Sequence, residues 1–423
     1  MLTLTKTGGT DANWTAVLKA ITYYDSSDAP AASSRTINVT ATDNGSSSSL
    51  TSTATVSVST VNDAPSGSVT ISGDAVQGET LSASNNLVDA DGLGTITYQW
   101  LRGGVAIDGA TGSSYALTEA DVGAAITVVA SYSDGHGTAE AVASVATGAI
   151  AEGVLVVGTE GDDVLNGTTG NDELQGGGGD DILVAGAGND ILDGGEGNDL
   201  LQGGTGADQM SGGIGNDDYY VDDAADVVLE NAGEGADRIL SSIDYVLAAG
   251  VSIERLQTHD GILGSASISL SGNELAQRIA GNSGTNSLSG GGGDDILVAG
   301  AGNDILDGGE GNDLLQGGTG ADIFLFGDAL DAGIDRLIDF NVNEDMIHLE
   351  QSAFAGLDGA GLLPESAFHT GSSAQDADDR IVYDPSTGNI YFDADGNGYQ
   401  TQILIAAVAL QTALTSDCFY IVG

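Results

Sequence analysis

The chain has very few basic residues: nine Lys and Arg stand against 62 Asp and Glu, which gives a formal net charge of -53. A surface this negative repels nucleic-acid phosphates and anionic lipid headgroups, because it offers no basic patch that could release their counterions. We therefore expect no nucleic-acid partner and no membrane insertion. Cations are the partners that such a composition favours.

Cysteine is almost absent. Cys418 is the single thiol, so no internal disulfide can form, and no CxxC pair or His/Cys cluster indicates zinc or redox chemistry. The four histidines lie far apart in the sequence, and neither HExxH nor GxSxG occurs, so we expect no enzymatic activity. The start of the chain has no signal-peptide pattern, and no apolar run reaches the roughly 18 residues that could span a membrane.

The N-terminal part contains short strand patterns separated by turn residues. The strand at 35–43 and the following Val-Asn-Asp-Ala-Pro sequence make residues 1–65 resemble the second half of a cadherin-like repeat. Residues 66–150 carry the strand spacing of an immunoglobulin-like sandwich, and Tyr98-Gln99-Trp100 makes them similar to bacterial Ig-like repeats. Since half of the cadherin-like repeat is missing, we expect the chain to be the C-terminal end of a larger protein.

From Gly158 the sequence repeats every nine residues. Seven units run through Tyr220 without a slip, and the pattern returns at Gly281; residues 176–208 and 290–322 are identical. Glycines at positions one, two and four are expected to take the positive φ values of tight turns. Together with the single apolar residue at position eight, this pattern predicts that each unit forms six turn residues followed by three strand residues.

Position six of the repeat is an aspartate in eleven units. These residues are Asp163, Asp172, Asp181, Asp190, Asp199, Asp208, Asp217, Asp295, Asp304, Asp313 and Asp322. If two units make one coil of a right-handed parallel roll, alternate units stack on the same edge at a strand spacing of about 4.8 Å, and their carboxylates become neighbours. Ca²⁺ accepts the mixture of carboxylate and carbonyl oxygens that such turns offer, and it would remove the repulsion.

The nonapeptide of residues 158–220 and 281–325 resembles the repeat of the RTX family of exported calcium-binding proteins. The resemblance implies about seven or eight Ca²⁺ ions, held by the position-six aspartates and by backbone carbonyls. The glycines to which it assigns those carbonyls are Gly194, Gly195, Gly197, Gly308, Gly309 and Gly311. The first units of the second block match the repeat poorly, because Asn286 and Gln277 stand where an aspartate is expected.

Three other turns could hold an ion or could equally be solvated turns: residues 62–63, 89–92 and 393–398. The last matches the start of an EF-hand loop, but Leu404 stands at its twelfth position instead of Glu. Residues 328–423 resemble the β-rich cap and the uncleaved C-terminal secretion signal of type I secretion substrates. The resemblance implies the type I secretion machinery as a partner and a location outside a Gram-negative bacterium or on its surface.

The sequence therefore predicts an all-β chain. Its expected parts are two N-terminal Ig/cadherin-like β-sandwich segments at 1–65 and 66–150, parallel β-roll (RTX) blocks at 151–221 and 281–327, a β-rich segment between the blocks at 222–280, and the cap and secretion signal at 328–423. The leading hypothesis is the calcium-induced-folding end of a secreted surface adhesin, with any cell-surface or host ligand bound by other domains. The alternative is the calcium-binding tail of an exported protease, lipase or epimerase.

Overall fold

The computed structural model describes residues 62–259, 264–327 and 333–423, together with the backbone of two strands at 34–41 and 50–57. The chain divides into two compact units, Met1–Ile150 and Ala151–Gly423. The regular secondary structure of the described residues is β-strand apart from three 3-10 helices of three residues each, Glu119–Asp121, Glu365–Ala367 and Ser416–Cys418. None of the helices in these ranges is long and apolar enough to cross a membrane.

The N-terminal unit consists of antiparallel sheets. Its strands are β1 (Ser34–Ala41), β2 (Leu50–Ser57), β3 (Val69–Ser72), β4 (Thr80–Asn85), β5 (Thr97–Arg102), β6 (Val105–Ala106), β7 (Ser114–Ala116), β8 (Ile126–Ser133) and β9 (Ala139–Ala143). Strands β1 and β2 form a pair, β3-β4-β7 form one sheet and β6-β5-β8-β9 form another. The last two sheets share a core around the fully buried Trp100. Its indole N–H donates to the Gly112 carbonyl at 2.9 Å, which satisfies the one polar atom of the ring.

The C-terminal unit is a parallel β-solenoid followed by a cap. The first repeat block forms β10 (Leu155–Val157), β11 (Val164–Asn166), β12 (Glu173–Gly178), β13 (Ile182–Ala187), β14 (Ile191–Glu196), β15 (Leu200–Thr205), β16 (Gln209–Ile214) and β17 (Asp218–Val221). Even-numbered strands stack on one face and odd-numbered strands on the other, with Leu174 paired to Leu192 and Leu183 to Leu201. The offset of 18 residues confirms that two repeats make one coil.

The repeat strands are longer than the sequence predicts. They cover positions seven to three, because Gly177 pairs with Gly195 and Gly178 with Glu196 in the next coil. The turn is correspondingly limited to positions four to six. Position eight lies inside, as predicted: Leu174 and Leu183 are completely buried and their equivalents are at most 7 % exposed, and a buried leucine contributes about 1.5–3 kcal/mol.

The sequence between the two repeat blocks continues one of the two faces of the solenoid. It forms β18 (Val227–Leu229), β19 (Arg238–Ser241), β20 (Tyr245–Val246), β21 (Arg255–Thr258), β22 (Ser269–Ser271) and β23 (Arg278–Ala280). Strands β19, β21 and β23 pair in parallel with one another and join β17 to the second block. Buried apolar residues such as Ile239, Leu256 and Ile279 continue the core through this segment, whereas the even-numbered strands form two separate sheets, one that ends at β18 and one that begins at β20.

The second block and the cap complete the unit. Their strands are β24 (Ser287–Gly292), β25 (Ile296–Ala301), β26 (Ile305–Glu310), β27 (Leu314–Thr319), β28 (Ile323–Phe326), β29 (Asp335–Leu337), β30 (Met346–Glu350), β31 (Gly361–Leu362), β32 (Phe368–Thr370), β33 (Ile381–Asp384), β34 (Asn389–Phe392), β35 (Ile403–Ala407) and β36 (Phe419–Val422). Strands β35 and β36 add in parallel to the two faces, and β31, β33 and β34 pair antiparallel. Buried cap residues such as Phe392 and Phe419 continue the core of the roll.

Candidate metal centre

The position-six aspartates form a ladder along each edge of the roll. The backbone N–H of Asp181 donates to Oδ1 of Asp199 at 2.8 Å, and the N–H of Asp199 donates to Oδ1 of Asp217 at 2.7 Å. On the other edge, the N–H of Asp190 donates to Oδ1 of Asp208 at 2.8 Å. Each carboxylate is thus fixed by the coil that precedes it, 18 residues away.

The second carboxylate oxygen of most of these residues has no hydrogen-bond partner, although the side chains are at most 2 % exposed. The Oδ2 atoms in this state belong to Asp181, Asp190, Asp199, Asp208, Asp217, Asp295, Asp304 and Asp322. Asp313 lies in the same column, where its Oδ1 accepts the N–H of Asp295 at 2.8 Å. A buried carboxylate oxygen without a donor is costly, and a bound cation would remove that cost.

Two of the predicted aspartates differ from the others. Oδ2 of Asp163 accepts the N–H and the hydroxyl of Thr159, at 2.6 and 2.8 Å. Asp172 accepts the N–H of Val154 with Oδ1 and the N–H of Thr168 with Oδ2. Both residues belong to the first coil; hydrogen bonds occupy both oxygens of Asp172 and Oδ2 of Asp163.

Glycine at position one is required for a reason other than the predicted positive φ. Gly195 and Gly197 do have positive φ, at 105° and 136°, and so do Gly309 and Gly311, at 86° and 144°. Gly194 and Gly308 do not; instead, a Cβ on Gly194 would collide with Oδ2 of Asp199 and lie 2.7 Å from the Gly212 carbonyl oxygen. The position-one glycine therefore makes room for the aspartate of its own unit, and its carbonyl lies near the same turn of the neighbouring coil.

Burial raises the pKa of these carboxyl groups well above the usual aspartate range. It raises the pKa of Asp190, Asp199, Asp217 and Asp322 to about 6, and that of Asp208 and Asp295 to about 7. Neighbouring aspartates add to the effect, since the charge of Asp190 raises the pKa of Asp208. Without a cation, the ionised ladder is unfavourable near neutral pH.

A profile of the RTX calcium-binding nonapeptide repeat matches four stretches, residues 157–192, 193–228, 271–306 and 299–329. The chain belongs to the RTX calcium-binding proteins. RTX repeats bind Ca²⁺, and the buried oxygens of the ladder fit that hard, oxygen-preferring ion.

Comparison with solved structures finds two that are similar to parts of this RTX chain. The AlgE6R3 subunit of the mannuronan C5-epimerase from Azotobacter vinelandii is 30% identical over 34% of this chain and 78% of that chain, with a TM-score of 0.24. The extracellular lipase LipA from Serratia marcescens is 18% identical over 64% of this chain and 40% of the lipase, with a TM-score of 0.22. None of the curated proteins compared with the sequence matches it.

Four aspartates that the repeat pattern does not predict extend the ladder beyond the repeats. The N–H groups of Asp208, Asp217, Asp313 and Asp322 donate to Oδ1 of, respectively, Asp226, Asp237, Asp335 and Asp345, at 2.9–3.1 Å. Each of these acceptors stands at or directly before a short strand, as Asp345 does before β30. An aspartate followed by alternating apolar residues was the pattern that could have identified them.

A second, outer ladder uses position five. Oδ1 of Asp180 accepts the N–H of Asn198 at 2.8 Å, and Oδ1 of Asn198 accepts the N–H of Asn216 at 3.0 Å. These residues are exposed, and their bonds run to the coil that follows, opposite in direction to those of position six. The position-five column of Asp and Asn therefore stabilises the turns from outside.

The amides that open the second block are satisfied by protein groups. Asn286 accepts the N–H of Asn282 at 2.8 Å and donates to the Ile268 carbonyl at 3.0 Å. Oε1 of Gln277 accepts the N–H of Asn273 at 3.1 Å, and Nε2 of Gln277 donates to Oδ1 of Asn273 at 2.7 Å. These contacts stand in place of the unpartnered oxygen that the aspartate presents in eight of the other units.

The turn at 89–92 is held by contacts of its two aspartates with other parts of the domain. Oδ2 of Asp89 accepts the Tyr132 hydroxyl at 2.5 Å, Oδ2 of Asp91 accepts the Asp63 N–H at 2.7 Å, and Oδ1 of Asp91 lies 3.1 Å from Nδ1 of His136. The structure thus brings Asp63 and this turn together. An ion at this place stays a prediction.

The EF-hand-like segment is a turn in which Asp395 accepts backbone N–H groups. Its Oδ2 accepts from Tyr399 at 2.9 Å and from Gln400 at 3.2 Å, while Oδ1 of Asp393 accepts from the N–H of Asp395 at 3.2 Å. An ion there also stays a prediction.

Proposed function

We propose that residues 151–423 are a calcium-dependent folding region of a type I-secreted bacterial surface adhesin. The observation that carries this proposal is the set of buried Oδ2 atoms without hydrogen-bond partners, repeated every 18 residues along both edges. Calcium supplies the positive charge that those atoms need. Extracellular calcium modules have dissociation constants of about 10⁻⁴ to 10⁻³ M, so the region would fill outside the cell and stay empty inside.

The roles proposed for individual ligands follow from the same geometry. The eight aspartates with an unpartnered Oδ2 supply carboxylate oxygen, and Asp313 shares their column. The carbonyls of the glycines named above, Gly194 and Gly308 among them, supply the backbone oxygens. Asp163 and Asp172 bind less well in this proposal, because their oxygens already accept hydrogen bonds.

The adhesin assignment rests on the sheets that precede the roll. The two antiparallel sheets around Trp100 fit an Ig-like extender domain, and the pair β1 and β2 fits the end of a cadherin-like one. The four histidines have separate partners: Asp91 for His136, Tyr220 for His259, Tyr420 for His348 and Asp379 for His369. This scatter supports a non-catalytic role for the chain.

A calcium titration of the full chain, followed by far-UV circular dichroism, tests the folding proposal. We expect β-structure to increase at submillimolar to millimolar Ca²⁺, and not with Mg²⁺, which retains its water and prefers a tighter octahedral site. A spectrum that is already complete in chelator and does not change with Ca²⁺ would contradict it.

The adhesin and the enzyme-tail alternatives differ in the remainder of the exported polypeptide. Peptide mass mapping of the native protein, recovered from the culture medium or the cell surface, distinguishes them. Further sandwich repeats upstream support the adhesin, whereas a protease, lipase or epimerase domain supports the alternative. Recovery only from the cytosol would contradict both.

A further inference from the structure

Three acidic side chains meet where the first repeat block ends. Carboxylate oxygens of Asp217, Glu230 and Asp237 all lie within 4.8 Å of one another. The three residues are 1 %, 5 % and 1 % exposed, so all are more than nine-tenths buried. Glu230 and Asp237 lie outside the regular nonapeptides.

Glu230 occupies the place that a position-one glycine holds in the regular coils. Leu229 pairs with Ser211, so Glu230 follows directly in register with Gly212. In the preceding coil, the space beside Gly194 contains the Gly212 carbonyl oxygen and Asp199. The equivalent space beside Gly212 contains Asp217, the counterpart of Asp199, and the Tyr219 hydroxyl in place of a carbonyl oxygen. The irregular coil thus places a side-chain carboxylate where a regular coil has only backbone.

Tyr219 fixes one oxygen of Glu230 and leaves the other without a partner. The buried Tyr219 hydroxyl accepts the Gly212 N–H and donates its single proton to Oε2 of Glu230. Oε1 of Glu230 has no hydrogen-bond partner, and neither has Oδ2 of Asp217. Two buried, unpartnered carboxylate oxygens therefore belong to one cluster.

No basic side chain neutralises this cluster within the described part of the chain. The ion pairs found there do not include Asp217, Glu230 or Asp237. Arg238 follows Asp237 directly in the sequence, but its Nε donates to Oδ1 of Asp218 at 2.8 Å. Three buried carboxylates at this separation require a cation to be ionised together.

We propose that Asp217, Glu230 and Asp237 form a carboxylate-rich Ca²⁺ site, additional to the repeat sites and built around a glutamate that Tyr219 orients. An all-oxygen set with three negative charges favours Ca²⁺ over Zn²⁺, which prefers nitrogen and sulfur, and an irregular coil suits the flexible coordination of Ca²⁺. Among the described residues at the end of the second block, Phe324 stands in place of the tyrosine, and the Gly317 N–H donates to Asp339 at 3.0 Å instead. The proposal rests on calcium binding by the chain and concerns one site only.

Equilibrium dialysis of the full chain against ⁴⁵Ca²⁺ tests the site. We expect Glu230→Gln to bind one ion fewer per chain than the wild type. The matched control is Glu173→Gln, which removes an equal charge from an exposed side chain that accepts a hydrogen bond from Gln175; this variant should bind the wild-type number of ions. Tyrosine-sensitised Tb³⁺ luminescence gives a second readout, because Tyr219 touches a ligand; Glu230→Gln should lower it and the control should not.

Two results would overturn the proposal without touching the repeat sites. One is a Glu230→Gln variant with the wild-type number of ions, affinities and Tb³⁺ luminescence. If that variant does not fold, Glu230→Asp decides, since it keeps the charge and withdraws the carboxylate by one methylene. We expect Glu230→Asp to lower the Ca²⁺ affinity of one site by about 10-fold or more and to leave the other sites unchanged. Wild-type Ca²⁺ affinities at all sites of this variant would overturn the proposal. A wild type that binds no Ca²⁺ would reject the calcium function as a whole.

Discussion

The backbone N–H of Asp199 donates to Oδ1 of Asp217 across one full coil, at 2.7 Å, and Oδ2 of Asp217 stays buried without a hydrogen-bond partner. In the eight aspartates of this kind, one oxygen holds the roll together by a hydrogen bond, and the other has no hydrogen-bond partner. A single residue type at a single position can therefore stabilise the roll and, in our proposal, also bind a cation.

Substitution of one ladder aspartate should remove one ion. Asp208→Asn keeps an Oδ1 acceptor for the Asp190 N–H but removes the charge, so we expect one Ca²⁺ fewer in equilibrium dialysis. The stabilisation lost at free calcium about 100 times the dissociation constant is about 2.7 kcal/mol per site. Asp193→Asn, at an exposed position of the same block, is the control and should leave both quantities unchanged. An Asp208→Asn chain with full stoichiometry would contradict the ligand assignment.

Gly194→Ala should destabilise the roll although Gly194 has no positive φ. The added methyl group would collide with Oδ2 of Asp199, and overpacking of this kind costs about 1–3 kcal/mol. Gly161→Ala is the matched control, because its Cβ would meet nothing within 4 Å. Urea unfolding in saturating Ca²⁺ measures both variants. Equal midpoints for the two would show that the contact with Asp199 is unimportant.

The calcium-free roll should be more stable in mild acid than at neutral pH. The folded-state pKa of Asp190 is about 6 and that of Asp208 about 7, both above the value of 3.8 for an unperturbed aspartate. The folded state therefore binds more protons between about pH 4 and 7, and stability falls as pH rises through this window. Urea midpoints in metal-free buffer should decrease from pH 5 to pH 8. A flat or rising profile would contradict the burial of these carboxyl groups.

Calcium should reverse that pH dependence. Ca²⁺ binds the ionised carboxylates, so stability at millimolar Ca²⁺ should rise through the same window, in which the pKa of Asp208 is about 7. The same urea experiment with added Ca²⁺ measures it, and Mg²⁺ serves as the control. An identical decrease with and without Ca²⁺ would count against direct binding.

The segment between the repeat blocks should be as important to the fold as the repeats. Leu256→Ala removes a fully buried side chain from the middle of the roll and should cost about 2–5 kcal/mol. Val246→Ala, at a side chain that is 71 % exposed, should change little. The circular dichroism titration with Ca²⁺ should shift to higher concentration for Leu256→Ala alone. Equal titrations would mean that this segment does not support the calcium-binding coils.

The regular units could be predicted from the sequence because one period governs them. The 18-residue stacking and the inward position-eight residues follow from the nonapeptide. Continuity through 222–280 could not be predicted, since the pairing offset changes to 20 residues between Asp218 and Arg238 and to 17 between Arg238 and Arg255. The need for glycine at position one arises from a side chain five residues later, which becomes visible only when the coil is closed.

The ladder has a direction. The N–H of each position-six residue is bonded by a carboxylate from the coil that follows, so a turn is complete only when its C-terminal neighbour is in place. The last two acceptors, Asp335 and Asp345, lie beyond the final repeat. Because a ribosome makes the N-terminal end first, the residues that complete the ladder are synthesised only after all of the repeats.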